Sequence, residues 1–282
     1  MIEKYIKMAT EAGKSTKYDM HVHSFHSDGS EAPSVIMKRA KERGLGIVAL
    51  TDHEGIGGIE EAQVTAKDLG LIFIPGIELS VRYDQKRLLH ILGLEIDVHA
   101  EDFVTLYESY RKNREEALVS VVAQLQEKGF SITLEEAKEY CFNNKPDRHC
   151  VAKCLVAKGY AASISRAWID ILDDVPYEEK EILEPEEAFQ MIRAGKGKSF
   201  LAHIHKGIGL YGYSDEEAYE RLKALKELGL DGIEARYPTF DSTDLAFIEQ
   251  AIEGLSLLKC GGSDFHGANR PEVDLGMIGE SA

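Results

Sequence analysis

The strongest constraint on the fold is a repeated alternation. Short apolar runs recur along most of the 282-residue chain, and most gaps between them are filled by amphipathic segments that stop at glycine. Candidate strands cover 18–23, 46–51, 71–75, 88–93, 199–203, 232–236 and 257–261, each of a length suited to one pass of a sheet. Helices are expected over 33–43, 59–69, 186–194, 215–228 and roughly 241–253, followed by Gly44, Gly70, Gly195, Gly229 and Gly254. Pro33 suits the start of a helix, where its missing N–H is no loss, and glycine suits the position after the end. Strands alternating with helices imply an α/β protein with a largely parallel sheet. Seven of them suggest barrel-like closure; the alternative is an open doubly wound sheet.

Residues 101–184 break this rhythm. Phe103, Leu106, Tyr107 and Tyr110, then Leu118, Val121, Val122 and Leu125, recur at helical spacing. Further helices are expected over 148–158 and 163–172. The simplest organisation is a short N-terminal extension (1–17), a first barrel part (18–100), a small helical insertion acting as a lid (101–184) and a second barrel part (185–282).

Polar residues cluster where the candidate strands end. In Asp19-Met20-His21-Val22-His23, strand alternation puts Asp19, His21 and His23 on one face. A turn, Ser27-Asp28-Gly29, follows at once. The second strand ends in Thr51-Asp52-His53, the third leads into Pro75-Gly76-Ile77-Glu78, and the fourth carries His90. The fifth ends at His203, and the seventh leads into Ser263-Asp264-Phe265-His266. Taken singly, each has an ordinary explanation: a hydrogen-bonded core histidine, a helix cap, a turn aspartate. In α/β barrels, however, the loops after the strands converge at one end, where active sites are built, and one shared site explains all of them together.

Six histidines (His21, His23, His53, His90, His203, His266) and three carboxylates (Asp28, Glu78, Asp264) are too many for one ion and enough for two or three. Nitrogen and oxygen donors without thiolate suit manganese, iron or zinc. Three divalent ions would carry +6, less 3 for the carboxylates, leaving about +3 to draw in a phosphate, because bound ions are often the largest local charges. Several ions can activate water and clamp phosphoryl oxygens, which makes phosphate-ester hydrolysis the economical chemistry. The chain's net charge of −16 argues against duplex nucleic acid, which needs basic surface. Cys141, Cys150, Cys154 and Cys260 form no Cys-x-x-Cys pair and read as small buried side chains. No apolar run reaches the roughly 20 residues of a membrane span, and Glu3, Lys4 and Lys7 do not introduce a secretory signal, so a cytoplasmic protein is expected.

The ordered set Asp-Met-His-Val-His, Ser-Asp-Gly, Leu-Thr-Asp-His, Pro-Gly-Ile-Glu, His-Ile-Leu-Gly, Leu-Ala-His and Gly-Ser-Asp-Phe-His resembles the PHP (polymerase and histidinol phosphatase) family, especially its stand-alone phosphoesterases of nucleotides and short oligonucleotides. The resemblance covers nearly the whole chain from Tyr18 and implies a distorted seven-stranded β/α barrel with a trinuclear site. It implies one ion on His21, His23, Glu78 and Asp264, a second on Glu78, His90 and His203, and a third on Asp28, His53 and His266. Asp19 and Asp52 would orient imidazoles from behind. The implied reaction is attack of a metal-bound hydroxide on nucleoside mono- or 3',5'-bisphosphates or short oligonucleotides. A histidinol-phosphate-type phosphatase and a non-catalytic binding module are the alternatives; filled ligand positions weigh against the last.

Three departures from the family pattern concern the substrate side. The insertion carries Asp147-Arg148-His149-Cys150 where relatives often have Arg-x-His, so Arg148 and His149 are candidate substrate-binding residues, with Arg148 a phosphate clamp. Leu201-Ala202-His203-Ile204-His205 replaces a Leu-Ala-His-Pro, and alternation places His205 beside His203 as an extra ligand, a general acid or simply a polar residue. Tyr237-Pro238-Thr239-Phe240 stands where a histidine often follows the sixth strand.

Overall fold

The computed structural model describes Lys4 and residues 17–84, 87–141, 146–205 and 208–278; most of the expected N-terminal extension lies outside the described residues. Strands β1 (Tyr18–Asp19), β2 (Ile47–Leu50), β3 (Ile72–Arg82), β4 (Leu88–Leu94), β5 (Lys198–Leu201), β6 (Gly232–Arg236) and β7 (Leu258–Gly261) lie side by side in sequence order. The sheet closes through the residues after β1 and β7. Met20 N–H donates to Gly261 O at 3.0 Å, Asp264 N–H to His21 O at 2.9 Å and His23 N–H to Phe265 O at 2.9 Å.

The expected alternation after Tyr18 does not hold throughout. Met20 packs inside the barrel with Ile47, Ala49, Ile74, Leu92 and Phe200. Val22 packs outside it with Ile36, Met37, Val48 and Leu50. The segment changes partner as it goes, from β2 at Tyr18 and Asp19 to the chain beyond β7, and the break lets His21 and His23 reach the end of the barrel.

The sheet is less parallel than the alternation suggests. β3 runs antiparallel to β4, and β4 antiparallel to β5, whereas β1–β2, β2–β3, β5–β6 and β6–β7 are parallel. A parallel pair needs a crossover of a dozen or more residues, and only the stretch from Tyr83 to Arg87 joins β3 to β4. Pro75 and Gly76 do not turn the chain either; β3 continues through them to Arg82. Because β4 runs backwards, its beginning, with His90, lies at the end where its neighbours β3 and β5 finish.

Helices α1 (Pro33–Glu42) and α2 (Ile59–Leu69) cover one side of the barrel. Helices α7 (Pro185–Ala194), α8 (Asp215–Leu228) and α9 (Ser242–Leu255) cover the other. Between β4 and β5 come α3 (Glu101–Glu127), α4 (Leu134–Lys138), α5 (Arg148–Ala157), α6 (Ile164–Ala167) and a π-helical turn, Trp168–Leu172. The first half of α3 packs on the barrel through Phe103, Tyr107 and Tyr110. Its second half, from Leu118 to Leu125, builds a separate core with α5 and the π-turn. Cys150 is joined to Cys141 in a disulfide, so two of the four cysteines are not the simple buried thiols expected; Cys154 and Cys260 are. No helix among the described residues is long and apolar enough to cross a membrane.

At the closure, Gly262 lies directly against His21: an added Cβ would stand 2.2 Å from His21 Cβ and 2.5 Å from its backbone nitrogen. Neither backbone can yield without opening the seam. Gly262→Ala is therefore expected to lower the unfolding midpoint by several degrees, as overpacking costs about 1–3 kcal/mol, measurable by thermal denaturation.

Candidate metal centre

The site is organised around Glu78, a fully buried carboxylate on β3. Five imidazoles surround it: His21 Nε2 at 3.1 Å, His23 Nε2 at 3.1 Å, His53 Nδ1 at 3.2 Å, His90 Nδ1 at 3.0 Å and His203 Nε2 at 3.2 Å. They arrive from different elements: the chain after β1, the end of β2, the start of β4 and the end of β5. Asp264 Oδ1 lies 3.2 Å from the same His23 Nε2, and at the other ring nitrogen Asp28 Oδ1 lies 3.8 Å from Nδ1. His266 Nε2 approaches Asp28 Oδ2 at 3.1 Å. All nine sequence-derived candidate ligands thus meet at one end of the barrel.

Three groups of these side chains have donor atoms within 4.8 Å of one another: His21, His23, Glu78 and Asp264; His23, Asp28, His53 and His266; and His53, Glu78 and His90. Several contacts lack hydrogen-bond geometry. Among the described residues, both ring nitrogens of His23 and Nδ1 of His90 lie buried beside these carboxylates without forming a hydrogen bond. Atoms that crowd together yet do not bond to each other fit ligands aimed at shared points between them, and imidazole with carboxylate is a donor set suited to transition-metal ions.

Charge follows the same arrangement. Burial opposes ionisation of Glu78, but the imidazoles of His21, His53 and His90 outweigh it and hold the carboxyl well below its usual range. For Asp264, burial is likewise outweighed, by His21 and His266 with Arg270. Burial disfavours charge on His21, yet Glu78, Asp264 and Glu234 raise it well above the usual value. His53 and His203 go the other way, lowered chiefly by burial.

The groups behind the candidate ligands differ from the sequence expectation. Among the described residues, neither Asp19 nor Asp52 bonds an imidazole. Asp19 pins the loop after β7, accepting from Ser263 N–H at 2.9 Å, Ser263 Oγ at 2.6 Å and Gly276 N–H at 2.7 Å. Asp52 pins the turn that carries Asp28, accepting from Ser24 N–H at 2.6 Å, Ser24 Oγ at 2.7 Å and Ser27 Oγ at 2.8 Å. The imidazole-orienting carboxylate is Glu234 on β6, which sequence reasoning missed. Its Oε1 accepts from His21 Nδ1 at 3.1 Å and its Oε2 from His203 N–H at 2.7 Å. With Nδ1 as the donor, His21 keeps Nε2 for an ion. Tyr237 and Arg270 hold the other oxygen of Asp264, donating to Oδ2 at 2.8 and 2.6 Å. Glu54, His203 and Asp264 sit at positive φ (53°, 30° and 58°), a backbone strain that structures tolerate mainly at functional sites.

Two of the expected substrate-side residues point elsewhere. His205 is not beside His203, because β5 ends at Leu201 and the positive φ of His203 breaks the alternation. Its ring lies between Phe240 and Phe247, with Nδ1 3.5 Å from Asp244. Arg148 is fully buried and committed to structure: Nη2 donates to Glu181 Oε2 at 2.9 Å and to Pro176 O at 2.8 Å, Nη1 to Val175 O at 2.8 Å, and the guanidinium stacks on Tyr177. Asp147 caps α5 as its position implied, accepting from His149 and Cys150 N–H at 3.0 and 3.2 Å, so the anion at this helix start is the protein's own. His149 does reach the site, its ring 5.3 Å from that of His53 and nearly parallel to it.

Two expectations follow. Glu234→Gln should weaken manganese binding about 10- to 100-fold, in line with loss of an imidazole-orienting partner, while the melting temperature changes little; calorimetric titration measures both. Arg148→Ala should instead destabilise the fold by about 3–5 kcal/mol, because it strands Glu181 in the interior, as read from urea denaturation.

Comparison with known proteins agrees with this arrangement. The PHP domain model matches residues 19–233. A 5'-3' exoribonuclease of Haemophilus influenzae is 28% identical over 89% of this chain and 90% of its own length. A 3',5'-nucleoside bisphosphate phosphatase of Chromobacterium violaceum is 27% identical over 92% and 90%. A crystal structure described as a metal-dependent phosphoesterase from Bifidobacterium adolescentis superposes with a TM-score of 0.79, at 26% identity, over 93% of this chain and 92% of that one. The chain, with its seven-stranded barrel and its histidines and carboxylates gathered at one end, belongs to the PHP domain family.

Proposed function

We propose that this protein is a metal-dependent hydrolase of phosphate esters whose substrates are nucleoside mono- or 3',5'-bisphosphates or short oligonucleotides. The observation that carries this reading is the cluster of histidines and carboxylates of which Asp28, His53, His90, His203, Asp264 and His266 line a cavity of about 430 Å³, together with Arg114 and Arg270, with His21, His23 and Glu78 buried behind them. His21, His23, Glu78 and Asp264 would hold one ion, and Asp28, His53 and His266 another, with His23 near enough to share in it. Glu78 and His90 would hold a further ion, completed by His203, whose Nε2 lies 3.2 Å from Glu78 Oε1, or by His53. Bound manganese, iron or zinc would supply an activated water and neutralise the phosphoryl oxygens.

The chain's own groups do the rest. Arg114 lines the cavity, its Nη1 held by hydrogen bonds to Tyr110 Oη and Glu181 O, both at 3.2 Å. That fixes a guanidinium in the cavity wall as the candidate partner for a phosphate, the task the sequence had assigned to Arg148. His149, whose pKa burial pushes below the usual histidine range, lines the same cavity, and its Nδ1 has no hydrogen-bond partner among the described residues. It is placed to exchange a hydrogen bond or a proton with an ester oxygen. The helices between β4 and β5 form a lid whose inner surface supplies both residues. The names of the similar proteins support the nucleotide class: an exoribonuclease and a nucleoside bisphosphate phosphatase.

Released phosphate should be measured across adenosine 3',5'-bisphosphate, a 5'-phosphorylated short RNA and histidinol phosphate, with manganese and with chelator. The reading expects manganese-dependent turnover of a nucleotide substrate; turnover of histidinol phosphate alone, or of nothing, overturns it. Asp28→Ala should lower kcat by orders of magnitude with the fold intact, because positioning and charge stabilisation both suffer. Near-normal turnover would make Asp28 an ordinary turn residue.

A further inference from the structure

The cavity has two chemically different ends. One is the cluster of histidines and carboxylates with its two arginines; the other, supplied by the lid, is mainly apolar, with Ile164, Trp168, Ile169 and Tyr177 beside Ser165 and Asp173. Trp168 is the only tryptophan in the chain. It opens the π-helical turn Trp168–Leu172, a distortion often found at functional sites. A ladder of rings joins it to the centre: His53 stacks on His149 at 5.3 Å and 16°, and His149 meets the indole edge-on at 5.3 Å and 62°. One imidazole therefore separates Trp168 from a candidate metal ligand. Beside it, the Ile169 side chain on the same wall is 58% exposed.

A ligand matching both ends needs a phosphate and, a short distance away, a flat apolar body. A nucleoside phosphate has that shape, with the sugar as spacer. We propose that Trp168 is the specificity-determining residue of this site, a platform on which the substrate's nucleobase stacks while its phosphate lies at the metal centre. This rests on the nucleotide reading above. Every base has a π-face, so the platform favours nucleotides over other phosphate esters without choosing strongly among bases. Ile164 and Ile169 flank the platform and shield the stacked base from water. Arg114, which lines the same cavity, remains available to the phosphate.

The test compares wild type, Trp168→Ala and Trp168→Phe on adenosine 3',5'-bisphosphate, uridine 3',5'-bisphosphate and ribose 5-phosphate, with manganese present. Where ribose 5-phosphate is not cleaved, its inhibition constant replaces KM. In Trp168→Ala, the preference for either nucleotide over ribose 5-phosphate should fall about tenfold or more, mostly through KM, as loss of a base–aromatic stack requires. Trp168→Phe should recover most of it, which a merely misfolded lid would not. Because the tryptophan is unique, adenosine, which has no ester to cleave, should quench the wild-type emission and ribose should not. Equal losses on all three substrates, or an unchanged preference without quenching, would overturn the platform and leave the nucleotide reading standing. Absence of nucleotide turnover in the wild type would overturn both.

Discussion

The structure turns on one buried carboxylate. Glu78 has no exposure to solvent and five imidazole nitrogens within 3.0–3.2 Å. A charge so placed is costly unless opposite charge surrounds it, and the neighbouring imidazoles supply that, holding the carboxyl well below its usual range against the effect of burial. In return, Glu78 fixes where the chain must go. The ends of β2 and β5, the start of β4 and the chain after β1 all have to reach the same point, and a closed barrel with one reversed strand lets them do so.

Around this centre the protein spends many hydrogen bonds on loops and few on the imidazoles themselves. Asp19 and Asp52 each hold a turn, and those turns carry Asp264 and Asp28. Glu234 alone bridges two histidine-bearing segments, through the His21 ring and the His203 backbone. Glu54, which follows His53 directly, accepts a hydrogen bond from Tyr110 on α3, and Tyr110 in turn accepts from Arg114. Arg114 is thus tied through two side chains to the residue next to a candidate ligand, which joins α3 to the centre.

The convergence of the nine candidate ligands was legible in the sequence because most of them sit at or just after the end of an apolar run, and strand order brings such places together; His90, inside β4, joins them because that strand runs backwards. What was not legible depended on partners far along the chain. Glu234 reads as an ordinary strand residue until the fold sets it against His21, 213 positions away. The helix start at Asp147 was legible, but the direction of the Arg148 side chain is set by Glu181, 33 residues on. His205 was misplaced because alternation cannot foresee a positive φ at His203. The reversal of β4 could have been found, since the short link between Arg82 and Leu88 has no room for a crossover helix.

The central claim is that these side chains form a multinuclear centre, so the most direct measurement is the metal content of the full chain after saturation with manganese and removal of the excess. The account predicts two to three ions per chain by elemental analysis. One ion or none would contradict it, and would leave the crowded imidazoles around Glu78 as a purely structural cluster.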